Sequence, residues 1–543
     1  MSFEQALTVE PVVIIAGRRH VVEARDVRSV ELELRQAGFS GSVEFVRRDD
    51  AAYGGAYEDR LAQTFWDPQE LEVELSVTPA RLAPGASAEA SRVSLRGRGE
   101  RRGLLEQPVE REGRPMLERR YRVEFGDAAR VLWSQHFPCE LLTGKSLLEV
   151  VQAQATQDVR VDSSWEVATT TQRQWFLHLP EHAGSSFYDF LSWYLDGRGG
   201  GLSYDYAKGS YELVATPDVS HPAKSLNGDD FSEVRIDWRE PPRARPRVRC
   251  ASATASSTLA VERDHVLTPL ARDSLTRTPI RARQSARADD EKLRNELPKP
   301  WATVVCRRYP SVALLPGARV SCVSEGLFSD ASALVQSEWL VRSVRLRAVA
   351  LSGPKETSPV LGAAPLTIDL SVALGQIGDR TMSGWDFVSP RYPGYVEGVV
   401  VSHEGADTEE TWDARRDDDT ALDEVEVEIP LFEESVFCPF EPGTSPASVF
   451  SPHCRGEPVL LALDLDESTI VRSLSWRRRV ALAEGAQGEG VIFGRSEDNC
   501  TKLSHVYEGA VPVLGLERVN DKDHVTLTMS EGKLVIGVME EGG

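Results

Sequence analysis

The chain has 543 residues, with 62 Lys or Arg and 84 Asp or Glu, so its formal net charge is −22. At about 150 residues per domain, this length predicts three or four domains. The acidic balance argues against a general nucleic-acid binder, which needs a basic surface. No apolar run approaches the roughly 18–20 residues of a membrane span, and no secretory signal is recognisable. The seven scattered cysteines form no CxxC pair and predict reduced thiols.

Residues 1–135 are predicted to form a first β-barrel. Apolar and polar residues alternate at 30–35 and 71–77, and again near 117–125. This period of two is typical of half-buried strands. Several short strands joined by turns rich in Gly and Arg favour a barrel or a sandwich.

Residues 136–215 are predicted to form a helix-bearing α/β insert. Ser146 and Glu149 have the spacing of a capping box ahead of an apolar run. A second helix follows, in which Ser186 is a candidate N-cap and Gly197 ends the apolar stripe. We interpret the aromatic residues of that stripe as core packing rather than as a cofactor site. A hairpin is predicted over 202–213.

Residues 216–385 are predicted to form a second β-barrel, interrupted by a basic insert at 240–300. The insert begins with a Pro- and Arg-rich segment, where Pro removes ladder donors. It has some helical potential over 281–297. Its charge fits either a solvated loop or a basic arm that grips an acidic partner.

Residues 386–480 are predicted to form a small Greek-key barrel of the OB type, with about five short strands. Within it, 404–434 carries 14 acidic residues against two arginines, a net charge of −12. A mobile, solvent-exposed loop is the expected structure, and a cation site is the alternative. Cys438, His453 and Cys454 lack the paired spacing of a zinc site and predict core thiols and a loop histidine.

Residues 481–543 are predicted to form a short β tail that ends in a hairpin with one apolar face. An isolated hairpin is marginal in water, so the face needs a partner, and three copies wrapped about an axis would supply one. The four residues expected to point inward at this tip are Val525, Leu527, Leu534 and Ile536.

No catalytic, cofactor-binding or metal-binding constellation is predicted, and the chain is not expected to be an enzyme. Gly144, Lys145 and Ser146 resemble the end of a phosphate-binding loop, but Cys139 stands where that loop needs its first glycine. Neither HExxH nor GxSxG occurs. A carbohydrate- or peptidoglycan-cleaving enzyme using pairs of carboxylates from Asp464, Asp466 or the acidic stretch at 404–434 is the alternative function. The alternation of Asp464 and Asp466 with leucines predicts that both lie on a solvated face.

Two stretches of the chain have a familiar order of motifs. The first stretch holds 145–151, 174–177 and 186–197, and the second holds 394–401, 425–432 and 451–461. Together they resemble the hub-and-spike proteins of contractile injection systems, which include VgrG of type VI secretion, the spikes of extracellular injection particles and the hub of contractile phage tails. They are similar to the family's helix, strand and aromatic helix, and to its OB domain.

This resemblance implies a fold of two tube-type β-barrels, an α/β insert, an OB barrel and a short β-prism tip. It also implies a structural homotrimer at the centre of a baseplate, which adapts a hexameric inner tube to a three-fold spike. A PAAR-type tip protein, other baseplate proteins and effector cargo are the implied partners. The chain is expected to be made without a signal peptide and to leave the cell with the particle.

This chain departs from the family pattern at three places. The insert at 250–300 has no counterpart, the acidic stretch is long for this barrel, and the long needle of valine–glycine repeats is missing. A stubby tip is therefore expected.

Overall fold

The computed structural model describes residues 2–81, 87–111, 113–250, 257–262, 266–267, 269–276, 281–294, 296, 299–323, 329–351, 364–418, 422–440, 452–474, 488–496 and 498–540. The chain is mainly β, as the sequence predicts. It divides into two units. The first comprises 1–138, 146–170 and 179–390, and the second comprises 139–145, 171–178 and 391–543.

The strands up to the end of the insert are β1 (Phe3–Ile15), β2 (Arg18–Val21), β3 (Val27–Arg35), β4 (Gly38–Asp49), β5 (Leu71–Pro79), β6 (Val93–Arg111), β7 (Arg114–Gly126), β8 (Cys139–Ser146), β9 (Val161–Ser163), β10 (Thr171–His178), β11 (Gly201–Asp205) and β12 (Ser210–Val214). The next strands are β13 (Lys224–Asn227), β14 (Phe231–Asp237), β15 (Arg245–Cys250), β16 (Thr258–Ala260), β17 (Ala271–Thr276), β18 (Trp301–Cys306), β19 (Arg319–Val323), β20 (Glu338–Ala350) and β21 (Ala364–Gln376).

The remaining strands are β22 (Gly394–Val400), β23 (Arg415–Arg416), β24 (Asp423–Ile429), β25 (Glu434–Pro439), β26 (Pro458–Leu463), β27 (Ser468–Ser473), β28 (Gly488–Ser496), β29 (Asn499–Glu508), β30 (Val511–Asn520), β31 (Asp523–Ser530) and β32 (Lys533–Met539). The α-helices are α1 (Arg60–Phe65), α2 (Ala88–Ser91), α3 (Ala128–Trp133), α4 (Leu147–Ala153), α5 (Glu166–Thr169), α6 (Phe187–Gly197) and α7 (Arg281–Arg294). Short 3-10 helices span Ala24–Asp26, Ala51–Tyr53, Glu181–Ala183 and Gly228–Asp230.

The first unit is built on one 13-stranded sheet that contains a closed ring. Around the ring the order is β20-β3-β4-β7-β6-β5-β1-β21, and β21 pairs with β20 to close it. The same two strands continue into an open sheet of order β13-β19-β20-β21-β18-β14. Both strands have 13 residues, and alternate residues from Leu366 to Leu374 are buried. The β20–β21 hairpin therefore supplies one continuous core face to both sheets.

The two predicted helices of the insert form where their caps predict. Ser146 and Glu149 make a full capping box on α4, and Ser186 and Asp189 make the same arrangement on α6. Each hydroxyl accepts from the backbone N–H three residues on, while the acidic side chain returns to the cap N–H. The buried face of α6 holds the aromatic stripe, which confirms that it is core. Ser146 is thus a helix cap rather than part of a phosphate loop.

A buried carboxylate joins the insert to the ring sheet. Asp127 is fully buried and caps α3, and it accepts hydrogen bonds from the Phe39 N–H at 2.9 Å and the Tyr211 hydroxyl at 2.7 Å. Burial raises the pKa of Asp127 despite these donors. Gly38 has a φ of +134° and passes so close that an added Cβ would lie 2.2 Å from the carboxylate. Glycine is therefore required at this turn.

The segment that follows β21 is an irregular strap fixed along the first unit. Trp385 is held between Arg35 and Arg130, each guanidinium 4.3 Å from the indole centre. Arg35 also donates to the Gly384 carbonyl at 2.5 Å. The Val388 N–H donates at 3.0 Å to Oδ1 of Asp189, the carboxylate oxygen that the capping box of α6 does not use. A connector with no helix or strand is thereby given a defined path.

The described residues of the basic insert form a small sheet and a helix rather than a solvated loop. β15 lies between β16 and β17, and α7 covers one face of this small sheet. The helical potential over 281–297 corresponds to α7. The prediction of a loop was wrong because Pro246 and Val248 alternate with arginines, and a strand with a charged outer face is hard to recognise beside so many prolines.

Candidate interaction sites in the second unit

The second unit contains a small β-barrel of the predicted OB order. Its sheet runs β23-β24-β22-β26-β27, with β25 also paired to β24. The core is formed by alternate residues of these strands together with Leu141 and Phe176, which come from β8 and β10. The Phe176 N–H donates to the Leu465 carbonyl at 2.9 Å, and its carbonyl accepts from the Tyr392 hydroxyl at 2.8 Å. Two strands from the first third of the chain thus complete the core of this barrel, although they form a separate two-stranded sheet.

An ion pair buried on one side attaches β10 to the barrel. Arg173 makes a bidentate contact with Glu424, at 2.8 and 2.6 Å. The Glu424 side chain is 2% exposed, whereas that of Arg173 is 41% exposed. Arg415 lies 3.6 Å from the same carboxylate. Glu424 belongs to the acidic stretch, so one member of that stretch has a structural role instead of a solvated one.

The start of the acidic stretch is an ordered arch over 402–412, which we call the acidic arch. Arg455 donates to the carbonyls of Ser402 and Glu404, each at 2.8 Å, and to that of Ala406. The hydroxyls of Ser402 and Thr411 lie 3.0 Å apart. The stretch is solvent-exposed over most of its described residues, as predicted. The fixed backbone path was not predicted, since Arg455 lies about fifty residues downstream.

The C-terminal tail is a five-stranded antiparallel sheet, β28 to β32 in sequence order. Leu527 pairs with Ile536, and Val525 pairs with Val538. Directly paired residues point to the same side of a sheet, so the four predicted tip residues share one face. Thr526 and Thr528, at the alternate positions, lie on the other face.

This face extends over all five strands, well beyond the predicted hairpin. One register row joins Val491, Leu503, Leu516, Leu527 and Ile536. Ten large hydrophobic side chains on this face are 42–65% exposed, namely Val491, Phe493, Leu503, Tyr507, Leu516, Val525, Met529, Leu534, Ile536 and Val538. We call it the apolar tail face. In the sequence, the alternation that includes Val491 and Phe493 could have indicated the first of these strands, but the many glycines around it obscured the pattern.

The residues considered for catalysis are not assembled into a catalytic group. Asp464 and Asp466 are exposed, as their alternation with leucines predicts. Partial burial, and secondarily Asp466, raise the pKa of Asp464. His453 approaches Glu457 at 3.3 Å and Ser473 at 3.4 Å, but through the same ring nitrogen, Nδ1. A serine–histidine–acid relay needs the acid and the nucleophile on opposite ring nitrogens.

Cys438 and Cys454 are thiols in different surroundings. Cys438 is buried and donates to the Ser468 hydroxyl at 3.4 Å, whereas Cys454 contacts the Pro452 carbonyl at 3.6 Å. Burial raises the pKa of the Cys438 thiol to about 12. Among the residues that the structure describes, no group of three or more His, Cys, Asp or Glu side chains is placed to hold a metal ion. No helix in the same ranges is long and apolar enough to span a membrane.

Comparison of the sequence with protein-family models and with curated proteins finds no match. Solved structures do match. A chain of the lidless PdpA–VgrG complex has a TM-score of 0.73 at 11% identity, covering 99% of both chains. A chain of the half-lidded Francisella complex has a TM-score of 0.74 at 12% identity, covering 99% of this chain and 88% of that one. For the lidded Francisella complex the TM-score is 0.72 at 12% identity, with coverage of 99% and 80%.

The match extends over nearly the whole chain, so it includes the ring sheet, the α/β insert, the OB barrel and the tail. At 11–12% identity the likeness is one of fold. The resemblance seen in the sequence is thereby confirmed at the level of fold, and this chain has a VgrG-like fold.

Proposed function

We propose that this protein is a structural hub-spike component of a contractile injection system, acting as a homotrimer held together at its C-terminal tail. The apolar tail face is the observation that carries this proposal. Monomeric proteins seldom expose a contiguous apolar patch of this kind unless it binds something. Completing the burial of ten half-exposed side chains would contribute roughly 1 kcal/mol each in every copy.

Association has to overcome charge repulsion. Each copy carries a net charge of −22, and like charges oppose assembly. The attraction must therefore come from apolar burial and from local charge pairing. Three five-stranded sheets that turn their apolar faces inward about one axis would form a short prism. Val525, Leu527, Leu534 and Ile536 would then lie at the trimer core, with Thr526 and Thr528 outside.

Further elements of the proposal rest on the family resemblance. Each chain has a closed ring sheet and an open sheet that share the β20–β21 hairpin, so three chains present six such sheets. This number suits docking on a hexameric inner tube. The blunt end of the prism would carry a PAAR-type tip protein, and other baseplate proteins and effector cargo would bind around the hub. The assembled particle would carry the protein out of the producing cell.

The test is the mass of the full-length protein in solution, measured by size-exclusion chromatography with light scattering. One chain has a mass of 59.9 kDa, so the wild type should elute with about three times that mass. Leu527→Asp with Ile536→Asp should yield monomers, because buried carboxylates without partners are strongly disfavoured.

The matched control is Thr526→Asp with Thr528→Asp, which adds the same charge to the opposite face of the same hairpin. It should remain trimeric. A monomeric wild type, or a double variant of the apolar face that still forms trimers, would refute the tail-mediated trimer.

A further inference from the structure

The small sheet of the basic insert has one covered face and one open face. On the covered side the Arg287 side chain reaches the Ser274 hydroxyl at 3.4 Å, and Pro246 and Val248 are buried. The alternate positions of β15 are arginines at 245, 247 and 249, which therefore point to the open side. We call this open side the arginine face.

Among the residues of the insert that the structure describes, the arginine face carries more positive charge than its carboxylates neutralise. Asp273 pairs with Arg247 at 2.7 Å and with Arg249 at 3.3 Å, so one carboxylate serves two guanidinium groups. Leu275 lies beside Arg249 in the register and is 72% exposed. The surrounding segment, 239–299, holds 14 basic and eight acidic residues in a chain that is otherwise strongly acidic. A suitable partner is thus an acidic surface that also offers an apolar contact.

The acidic arch has these two properties. Glu404 and Asp407 are exposed on it, and Trp412 is 48% exposed at its end. The clamp by Arg455 holds the arch backbone in one conformation, so little conformational entropy would be lost on binding. Trp and Arg are also among the side chains that contribute most to protein interfaces.

We propose that the arginine face of one copy binds the acidic arch of a second copy. This inference rests on the proposed trimer and adds a second interface to it. Each chain carries one surface of each kind, so a head-to-tail contact can close into a ring of three. Pairing charges locally also offsets the repulsion between three acidic chains, and it sets the orientation of neighbouring subunits.

The experiment measures subunit exchange between heavy-isotope-labelled and unlabelled full-length trimers by native mass spectrometry. Interface substitutions act mainly on dissociation rates, so exchange reports the contact directly. Arg247→Glu with Arg249→Glu should accelerate exchange about tenfold, and Glu404→Arg with Asp407→Arg should do the same. The protein that carries all four changes should exchange at close to the wild-type rate, because the charges are again complementary.

The control for net charge is Arg25→Glu with Arg60→Glu, which alters exposed arginines outside the insert whose side chains are 64% and 81% exposed. It should exchange like the wild type. Thermal unfolding of each variant separates loss of the contact from loss of folding. The acidic-arch pair provides a second test should the arginine pair unfold the insert.

Failure of this inference is distinguishable from failure of the trimer. A wild type that is not trimeric refutes the proposed function. The inter-subunit contact is refuted if the arch substitutions leave the rate of subunit exchange unchanged. It is also refuted if reversing all four charges does not restore the wild-type rate. Either result leaves the tail-mediated trimer standing. The contact is supported if each pair of substitutions accelerates subunit exchange and the protein with all four changes returns to the wild-type rate.

Discussion

The contact between Arg173 and Glu424 allows a quantitative test of how the OB barrel holds its extra strands. Replacing Arg173 with Met keeps most of the side-chain length and removes the charge. The Glu424 carboxylate is 2% exposed, and in place of two hydrogen bonds at 2.8 and 2.6 Å it then keeps Arg415, at 3.6 Å, as its remaining cation among the described residues. Breaking a buried pair by removing one partner typically costs about 3–5 kcal/mol.

Two features of this site reduce that cost. Arg173 is 41% exposed, so water screens the pair, and Arg415 partly compensates the remaining charge. We therefore expect Arg173→Met to destabilise the barrel by about 2–3 kcal/mol. The double variant Arg173→Met with Glu424→Leu removes both charges, and it should recover most of the loss because no uncompensated charge remains.

The assay is denaturant unfolding of the full-length protein. A chain with two units need not unfold in a single step, so a local reporter is required. Trp175 is buried on the same strand, and its indole donates to the Lys145 carbonyl at 2.8 Å. The change in Trp175 fluorescence reports the unfolding of the barrel. Comparison with the Trp175→Phe variant shows which part of the total fluorescence comes from this residue.

Arg60→Met is the matched control. Arg60 pairs with Glu58 at 3.2 Å, but the two side chains are 81% and 49% exposed, so the change should cost less than about 0.5 kcal/mol. The reasoning fails if Arg173→Met is as mild as the control, or if the double variant is no more stable than the single one.

Two further predictions concern the buried thiol of Cys438 and the half-buried indole of Trp385. Folding raises the pKa of Cys438 from 9.0 to about 12, so its stabilisation is fully present below pH 9 and is lost as the pH rises from 9 towards 12. Cys438→Ala should flatten this alkaline loss in urea titrations, whereas Cys139→Ala, at an exposed site, should not; equal slopes would contradict the prediction. Trp385→Ala removes two cation–π contacts of about 0.5–2 kcal/mol each, so limited proteolysis should cut the strap sooner than in Val388→Ala, which alters a 50% exposed side chain. Identical cleavage rates would show that the Arg–Trp–Arg stack does not hold the strap.

Local sequence patterns were sufficient to predict the elements whose formation depends on residues close together in the chain. The two capping boxes, at Ser146 and Ser186, predicted the starts of α4 and α6, because a cap depends on side chains only three residues apart. Alternation predicted the strands of the OB barrel and the last hairpin, since it follows from strand geometry alone. These elements, in their order, were also enough for the family resemblance to be recognised.

Tertiary structure decided the features that depend on distant pairing. The closure of the ring through β20 and β21, the completion of the OB barrel by β8 and β10, and the clamp of Arg455 on the acidic arch all join segments that are remote in sequence. The width of the apolar tail face likewise required the register of five strands. Composition determined that the chain is acidic, and the alternation of apolar and polar residues predicted that it is mainly β. Which charges are buried, paired or placed to bind a partner was decided only when the strands were assembled.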